Sequence, residues 1–444
     1  MNSNQIDISV KNFRAINKAH IALNGITVVA GANGSGKSTL SKLTYLLFKT
    51  SINFEKIVEK KTKQNLQKVI RALDIISRDL SYFTNKKNYA ASRSRFRKFT
   101  VNDFSKDLFG ENQISLFIDS LIEEYNNLDN KIKKRKFADI RLERSGKILL
   151  DIIPAISIND EIGITELLIE LKKFVNGKIE ETFELKEQRP IQVLYDELYK
   201  TFYNKQLRKN VEFKEFDVSI IDRKENTLIP IHTIQNVIYV DTPMMIGIDT
   251  YGDIEHWDDL NELLEKKESY GKEHLQSNIQ ISDIIKGNII DNDDEFSDMQ
   301  FIYKREDGSK FDLMECATGL KSFAILQLLY KKGFLNDKSL LIIDEPEAHL
   351  HPQWVVEYAR IIILLHKTIG VKFLIASHHP DMISAIKYIA EKEEVIQNVQ
   401  YYLSKQIDEK KFQFDFKYLG SNIEEIFSSF NIAFERIDLY GKTD

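Results

Sequence analysis

Apolar positions open the chain in three short groups. Residues 6–10 and 19–23 read as strands, and residues 26–30 form an unbroken, mostly β-branched run that predicts a buried strand ending at a glycine-rich turn. A helix is expected next, over residues 38–48. The period then changes: Leu66, Val69, Leu73, Ile76, Leu80 and Phe83 advance in alternating steps of three and four, a heptad seam. Ile114, Phe117, Leu121, Tyr125, Leu128 and Ile132 nearly repeat it. Two such helices joined by a loop predict an αα-hairpin, a short coiled coil, in the early part of a helical lobe; an ordinary bundle of amphipathic helices fits the pattern equally well. Strands return after about residue 225, at 237–240, 299–304, 310–314, 339–343 and 371–376, and helices alternate with the last three. The expectation is an α/β protein in which a mixed sheet flanked by helices is built from residues 1–50 and 225–444, with a helical insertion over residues 51–224.

Composition narrows the class. The chain has 444 residues, 43% hydrophobic and 29% charged, which suits a globular protein of two or more lobes. Its longest apolar runs, such as 340–343 and 361–365, fall far short of the roughly 20 residues needed to cross a bilayer, and the opening MNSNQID lacks an apolar signal segment. A cytoplasmic protein without a membrane partner is expected. A single cysteine, Cys316, excludes an internal disulfide and a cysteine-based zinc cluster. With a net charge of −5, any nucleic-acid contact must be local. Local basic groups exist: Lys86, Lys87, Arg93, Arg95, Arg97 and Lys98 occur without an intervening acid, beside Tyr89 and Phe96 for stacking, and Lys131, Lys133, Lys134, Arg135 and Lys136 form a second cluster. They suit a phosphate backbone, an acidic protein face or plain solvation. Asp291, Asp293, Asp294, Glu295 and Asp298 lack the spacing of an EF-hand and read as a loop.

Three motifs carry chemistry. Gly31-Ala-Asn33-Gly34-Ser35-Gly36-Lys37-Ser38 fits GxxxxGK[ST] and stands between the predicted buried strand and the predicted helix, where a phosphate-binding loop belongs. There the glycines let backbone N–H groups turn inward around the β-phosphate, Lys37 bridges β- and γ-oxygens, Ser38 ligates magnesium and Thr39 stands near the α-phosphate. The run 340–343 leads into Asp344 and Glu345, a buried strand that delivers two carboxylates at its C-terminal end: Asp344 for the magnesium shell, Glu345 to orient and deprotonate water. The strand at 371–376 ends in Ser377-His378-His379-Pro380, and His378 is the better placed of the two histidines to hydrogen-bond a γ-phosphate. ATP and Mg2+ are the expected ligands.

Lys11-Asn-Phe-Arg14, the phosphate-binding loop, Ile343-Asp-Glu-Pro-Glu-Ala-His-Leu-His351-Pro and Ala376-Ser-His378-His-Pro, in that order, resemble the ABC-type ATPases of the Rad50, SMC and overcoming-lysogenization-defect (OLD) kind. The EPEAHLHP string is most similar to the OLD-like branch. The likeness spans about the first 50 and last 200 residues. It implies an ABC-type P-loop head, ATP sandwiched between two heads in a homo-oligomer, and a signature segment reaching the γ-phosphate of the other head. By position that segment is Ala317-Thr318-Gly319-Leu320-Lys321, which departs from LSGGQ: Thr318 replaces the serine and Gly319 keeps the close-approach glycine, but Leu320 and Lys321 replace a glycine and a glutamine. The resemblance puts Arg14 near the nucleotide, and leaves the Q-loop open among Gln113, Gln188 and Gln192. OLD proteins carry a TOPRIM nuclease after the ATPase, whereas the stretch after Pro380 holds no Glu plus DxD arrangement. A nuclease on another chain is therefore expected, as in ATPases of phage-defence systems such as PARIS, with a phage protein as trigger. A DNA-acting ATPase of recombination or repair, gripping duplex through the basic insertion, is the alternative.

Overall fold

The computed structural model describes residues 6–81, 113–127, 164–204, 207–248, 255–266, 281–292, 300–408, 411–428 and 440. The chain divides into two compact units, residues 1–52 with 190–444, and residues 53–189.

The first unit begins with β1 (Ile6–Phe13), β2 (Ile16–Ala22), β3 (Ile26–Ala30) and α1 (Lys37–Ile52). The second unit contributes α2 (Phe54–Ser81), α3 (Gln113–Asn126) and α4 (Ile164–Gln188). Its heptad positions Leu66, Val69, Leu73 and Ile76 are buried together with Ile114, Ile118 and Leu121 of α3 and with Leu167, Leu168, Leu171 and Val175 of α4. The seam thus serves a core to which a third helix contributes, and Thr62 and Thr182 join α2 to α4 with a 2.7 Å hydroxyl contact. Phe83, Leu128 and Ile132 lie outside the described residues. So do Lys86, Lys87, Tyr89, Arg93, Arg95, Phe96, Arg97 and Lys98, and Lys131, Lys133, Lys134, Arg135 and Lys136.

The first unit resumes with α5 (Gln192–Phe202), α6 (Leu207–Asn210), β4 (Val211–Glu215), β5 (Val218–Ser219), β6 (Ile221–Asp222), β7 (Thr227–Leu228), β8 (Asn236–Val240), α7 (Glu255–Glu265), α8 (Ile281–Ile285), β9 (Gly287–Asp291), β10 (Phe301–Arg305) and β11 (Lys310–Asp312). It closes with α9 (Thr318–Lys331), β12 (Ser339–Asp344), α10 (Pro352–Ile369), β13 (Lys372–Ser377), α11 (Pro380–Lys392), β14 (Val399–Asp408) and β15 (Lys411–Gly420). Ten strands form one sheet in the order β5-β4-β1-β2-β15-β14-β3-β13-β12-β8. The insertion therefore ends earlier than the expected residue 224. Residues 190–224 belong to the first unit because β4 pairs antiparallel with β1, Ile6 opposite Glu215 and Val10 opposite Val211. β14 and β15, which the pattern of apolar residues did not mark, lie inside the same sheet.

The five strands β14, β3, β13, β12 and β8 run parallel. β3 and β12 are buried at every position, which is why their sequences are mostly apolar rather than alternating. Parallel pairing brings all their C-terminal ends to one edge: Ala30 stands opposite Ser377, Asp344 opposite Ala376, and Ile343 opposite Val240. The helices that leave this edge start cleanly. α10 and α11 each carry proline in the first turn, and His351 and His379 cap them by accepting the backbone N–H two residues on. Among the described residues, no helix is long and apolar enough to cross a membrane. Of the acidic stretch, Asp291 pairs with Lys332 at 2.7 Å, and Asp293, Asp294, Glu295 and Asp298 lie outside the described residues.

Candidate functional site

The phosphate-binding loop leaves β3 at Ala30 and enters α1 at Lys37. Gly34 takes φ +78°, the left-handed region a side chain disfavours. Asn33, Gly34 and Ser38 are exposed, Gly36 and Thr39 half-buried, and Ser35 is buried. A Cβ on Gly36 would stand 3.0 Å from Ile16, so the loop rests on the turn between β1 and β2. Lys37 is only 4% exposed, and its Nζ donates to the carbonyls of Gly31 and Ala32 at 2.9 and 3.0 Å. Burial lowers its ammonium from the ordinary range, while Asp344, Glu345 and Glu347 push back. One cation thus faces three carboxylates.

Asp344 closes β12 and is buried; Tyr239 of β8 donates to its Oδ2 at 3.4 Å. Burial pushes its carboxyl up to about 6, with Glu345 adding to the rise and the Ser38 hydroxyl and Lys37 opposing it. Asp241, at the end of β8, accepts from the Trp257 indole at 2.7 Å and lies 3.0 Å from His256 Nε2. Burial alone would raise the Asp241 carboxyl, but His256 and Trp257 carry it below the usual range. Glu345 turns out of the strand at φ +53°, held there by its N–H on the Ala376 carbonyl at 2.8 Å. His378 follows β13, its Nδ1 3.3 Å from Glu345 Oε1 and 3.4 Å from Glu347 Oε1. Glu345 and His378 are each somewhat over a third exposed, and Glu347 is buried.

The parallel edge thus brings together Lys37, Ser38, Asp344, Glu345 and His378. Four further residues there escaped the sequence reading: Glu347, Ser377, Tyr239 and Ser404, the last donating to Ser35 Oγ at 2.7 Å from β14. Of these, Glu347 carried a local signal as a second acid two residues after Glu345, and Ser377 stands beside His378 in the strand-end string.

Magnesium fits the site. Asp344 Oδ1 is a buried oxygen without a hydrogen-bond partner, and a cation supplies what a buried carboxylate otherwise lacks. Among the described residues no cluster of three or more His, Cys, Asp or Glu could hold a metal alone. The remaining ligands would be the Ser38 hydroxyl, phosphate oxygens and water, the usual surroundings of magnesium on a nucleotide.

The signature segment stands elsewhere. Thr318 and Gly319 open α9, and a Cβ on Gly319 would meet the His349 carbonyl oxygen at 3.1 Å and Leu350 at 3.2 Å. Lys321 is buried and donates to the Met314 carbonyl at 2.7 Å. Arg14 takes φ +50° in the β1–β2 turn, one residue before Ala15, which approaches Gly36. Its guanidinium stacks 4.8 Å over the Phe202 ring and reaches the Phe202 carbonyl at 3.4 Å. Of the Q-loop candidates, Gln113 and Gln188 belong to the helical unit, and Gln192 donates to Asp196 within α5.

A strand, a glycine loop and a helix around a buried lysine, beside strand-end carboxylates, define a P-loop ATPase. Residues 6–383 match the AAA ATPase domain, and the chain belongs to that family. It is an ATPase built on a mixed sheet flanked by helices, with a helical insertion. Among solved structures it is similar to the Smc head domain with an extended coiled coil bound to the C-terminal domain of ScpA from Pyrococcus furiosus, at 11% identity over 98% of this chain and 99% of that one, with a TM-score of 0.33. It is also similar to the SMC head domain from Thermotoga maritima, at 9% identity over 93% and 98% of the two chains, with a TM-score of 0.35. A likeness at this level carries no functional information. No curated relative matches the chain.

Proposed function

We propose that ATP binds at the parallel edge and that its hydrolysis is coupled to pairing of two heads, each completing the other's site. Backbone N–H groups of Asn33, Gly34, Ser35 and Gly36 cradle the β-phosphate, Lys37 reaches the β- and γ-oxygens, and Thr39 stands at the α-phosphate. Ser38 and Asp344 hold Mg2+, which when bound neutralises phosphate charge. Glu345 orients the attacking water and takes its proton; His378 contacts the γ-phosphate. Arg14 lines the nucleotide from the adjoining turn. Thr318 and Gly319 come from the partner head.

The observation that carries head pairing is the start of α9. Ala317 precedes it and offers no side chain to its first N–H groups, so an anion from outside the head can take them. In this reading the paired heads are a scaffold that holds a separate effector nuclease and releases it on a phage trigger; the EPEAHLHP string, similar to the OLD-like branch, supports that role. The second reading, a Rad50- or SMC-like ATPase acting on DNA, is favoured by the uninterrupted basic residues Lys86 to Lys98 of the insertion.

ATP hydrolysis measured against protein concentration, with and without duplex DNA and with Glu345→Gln as the blank, separates the two. Specific activity that rises with concentration and ignores DNA is expected. Strong stimulation by DNA moves the assignment to the second reading. A Glu345→Gln variant that stays monomeric with ATP in size exclusion overturns head pairing itself.

A further inference from the structure

His378 presents one nitrogen to two carboxylates. Its Nδ1 is buried, lies 3.3 Å from Glu345 Oε1 and 3.4 Å from Glu347 Oε1, and is aligned with neither. A single N–H at that atom serves one acceptor at a time. The two acceptors differ in how firmly they are held. The Glu345 side chain is 40% exposed, whereas Glu347 is 3% exposed. Glu347 Oε1 accepts from the Ser377 hydroxyl at 2.9 Å and from the His378 backbone N–H at 3.2 Å. Ser377 in turn accepts the His379 N–H at 3.1 Å, so the carboxylate is anchored to the very turn that carries the histidine.

We propose that Glu347 is a positioning residue for ATP hydrolysis: it draws the Nδ1–H of His378 away from Glu345, fixing the imidazole and leaving the Glu345 carboxylate to water. This rests on the reading of Glu345 as the group that acts on water and His378 as the contact to the γ-phosphate. A Glu345 oxygen that accepts the histidine N–H cannot at the same moment accept from the attacking water, so any pairing of His378 with Glu345 competes with turnover. Glu347 wins that competition by preorganisation, because two donors already hold it in place before nucleotide arrives.

Glu347→Gln keeps an oxygen for Ser377 and removes the charge. In the full chain its kcat should fall about 10- to 100-fold, the usual cost of losing a group that orients another, with KM for ATP within about twofold of wild type. Glu347→Gln combined with His378→Gln should be no slower than His378→Gln alone. Nitrogen-15 spectra of histidine-labelled protein, assigned with His378→Gln, should show Nδ1 of His378 protonated in the wild type. Wild-type turnover in Glu347→Gln, multiplied losses in the double variant, or an unprotonated Nδ1 in the wild type overturns the proposal, and the last is read without any Glu347 variant having to fold. Should Glu345→Gln and His378→Gln themselves hydrolyse ATP at the wild-type rate, the reading of the site falls, and this proposal with it. Should both be inactive while Glu347→Gln is not, only the role of Glu347 falls.

Discussion

Ser404 and Gly31 occupy the same space from two ends of the chain: a Cβ built on Gly31 would stand 1.7 Å from the Ser404 hydroxyl oxygen. That hydroxyl donates to Ser35 at 2.7 Å and lies 3.2 Å from the Ala30 carbonyl oxygen. The first glycine of the phosphate-binding loop is therefore demanded by a tertiary neighbour on β14 as well as by the phosphate it would face. The loop's conformation is set by the sheet before any nucleotide arrives.

Gly31→Ala should accordingly destabilise the head by about 2–4 kcal/mol, the range for forcing a methyl into a packed site, and abolish ATP binding. Ser404→Gly alone should cost about 1 kcal/mol, one hydrogen bond. Because Ser404 supplies the two nearest atoms of the clash, Gly31→Ala with Ser404→Gly should be more stable than Gly31→Ala by itself. Thermal melts of the four proteins check the cycle, and losses that simply add would show that the contact is not the cause.

The raised Asp344 carboxyl gives a pH dependence with a definite sign. Its ordinary value is 3.8 and its value in the fold about 6, so the folded head binds a proton that the unfolded chain releases. The stabilisation is complete below about pH 4 and is lost as pH rises through about 6, by roughly 3 kcal/mol at 1.36 kcal/mol per pH unit. Urea melts in EDTA from pH 4.5 to 7 should show this loss in the wild type and a flatter curve in Asp344→Asn. Magnesium with ATP should restore stability at the upper end.

These relationships mark where sequence reading stops. Lys37, Ser38, Asp344, Glu345 and His378 are legible because each follows a strand whose apolar run is itself legible, and parallel strands deliver their ends to a common edge. Ser404 and Tyr239 are not, since their roles depend on β14 and β8 flanking the site strands, an order no local pattern encodes. Glu347 stood in a recognised string, yet its partner Ser377 lies thirty residues downstream. The insertion boundary was missed for a related reason: β4, VEFKE, is short and half polar, and only its pairing with β1 assigns it to the head.

Gly319 offers a test of the helix start at α9. Its hydrogen faces the His349 carbonyl oxygen at a distance where a methyl would sit 3.1 Å away, tighter than ordinary contact. Gly319→Ala should push the start of α9 off the segment before α10 at a cost of about 1–2 kcal/mol. If that helix start completes a partner's site, ATP-dependent association of Glu345→Gln heads should weaken in the double variant while ATP affinity of the separate heads stays within about twofold. Equal weakening of both, read by sedimentation and calorimetry, would tie Gly319 to folding alone.

Lys37→Met separates the charge of the lysine from its packing. The ammonium is buried, and burial is the largest influence on it, so its removal relieves a desolvation cost even as it takes the one cation from Asp344, Glu345 and Glu347. Near pH 5.5 the Asp344 carboxyl is mostly protonated and the two effects nearly offset; near pH 7.5 it is charged and lacks the compensating cation. The variant should therefore be about 1–2 kcal/mol less stable relative to wild type at pH 7.5 than at pH 5.5. Lys37 also holds the Asp344 carboxyl down, so the window over which stability falls should extend upward past pH 6 in this variant. Calorimetric titration should show ATP binding lost at both pH values, because the contact to the phosphates is gone regardless of the state of the acids. A destabilisation equal at the two pH values would mean that the lysine stem, not its charge, is what the site depends on in the absence of nucleotide.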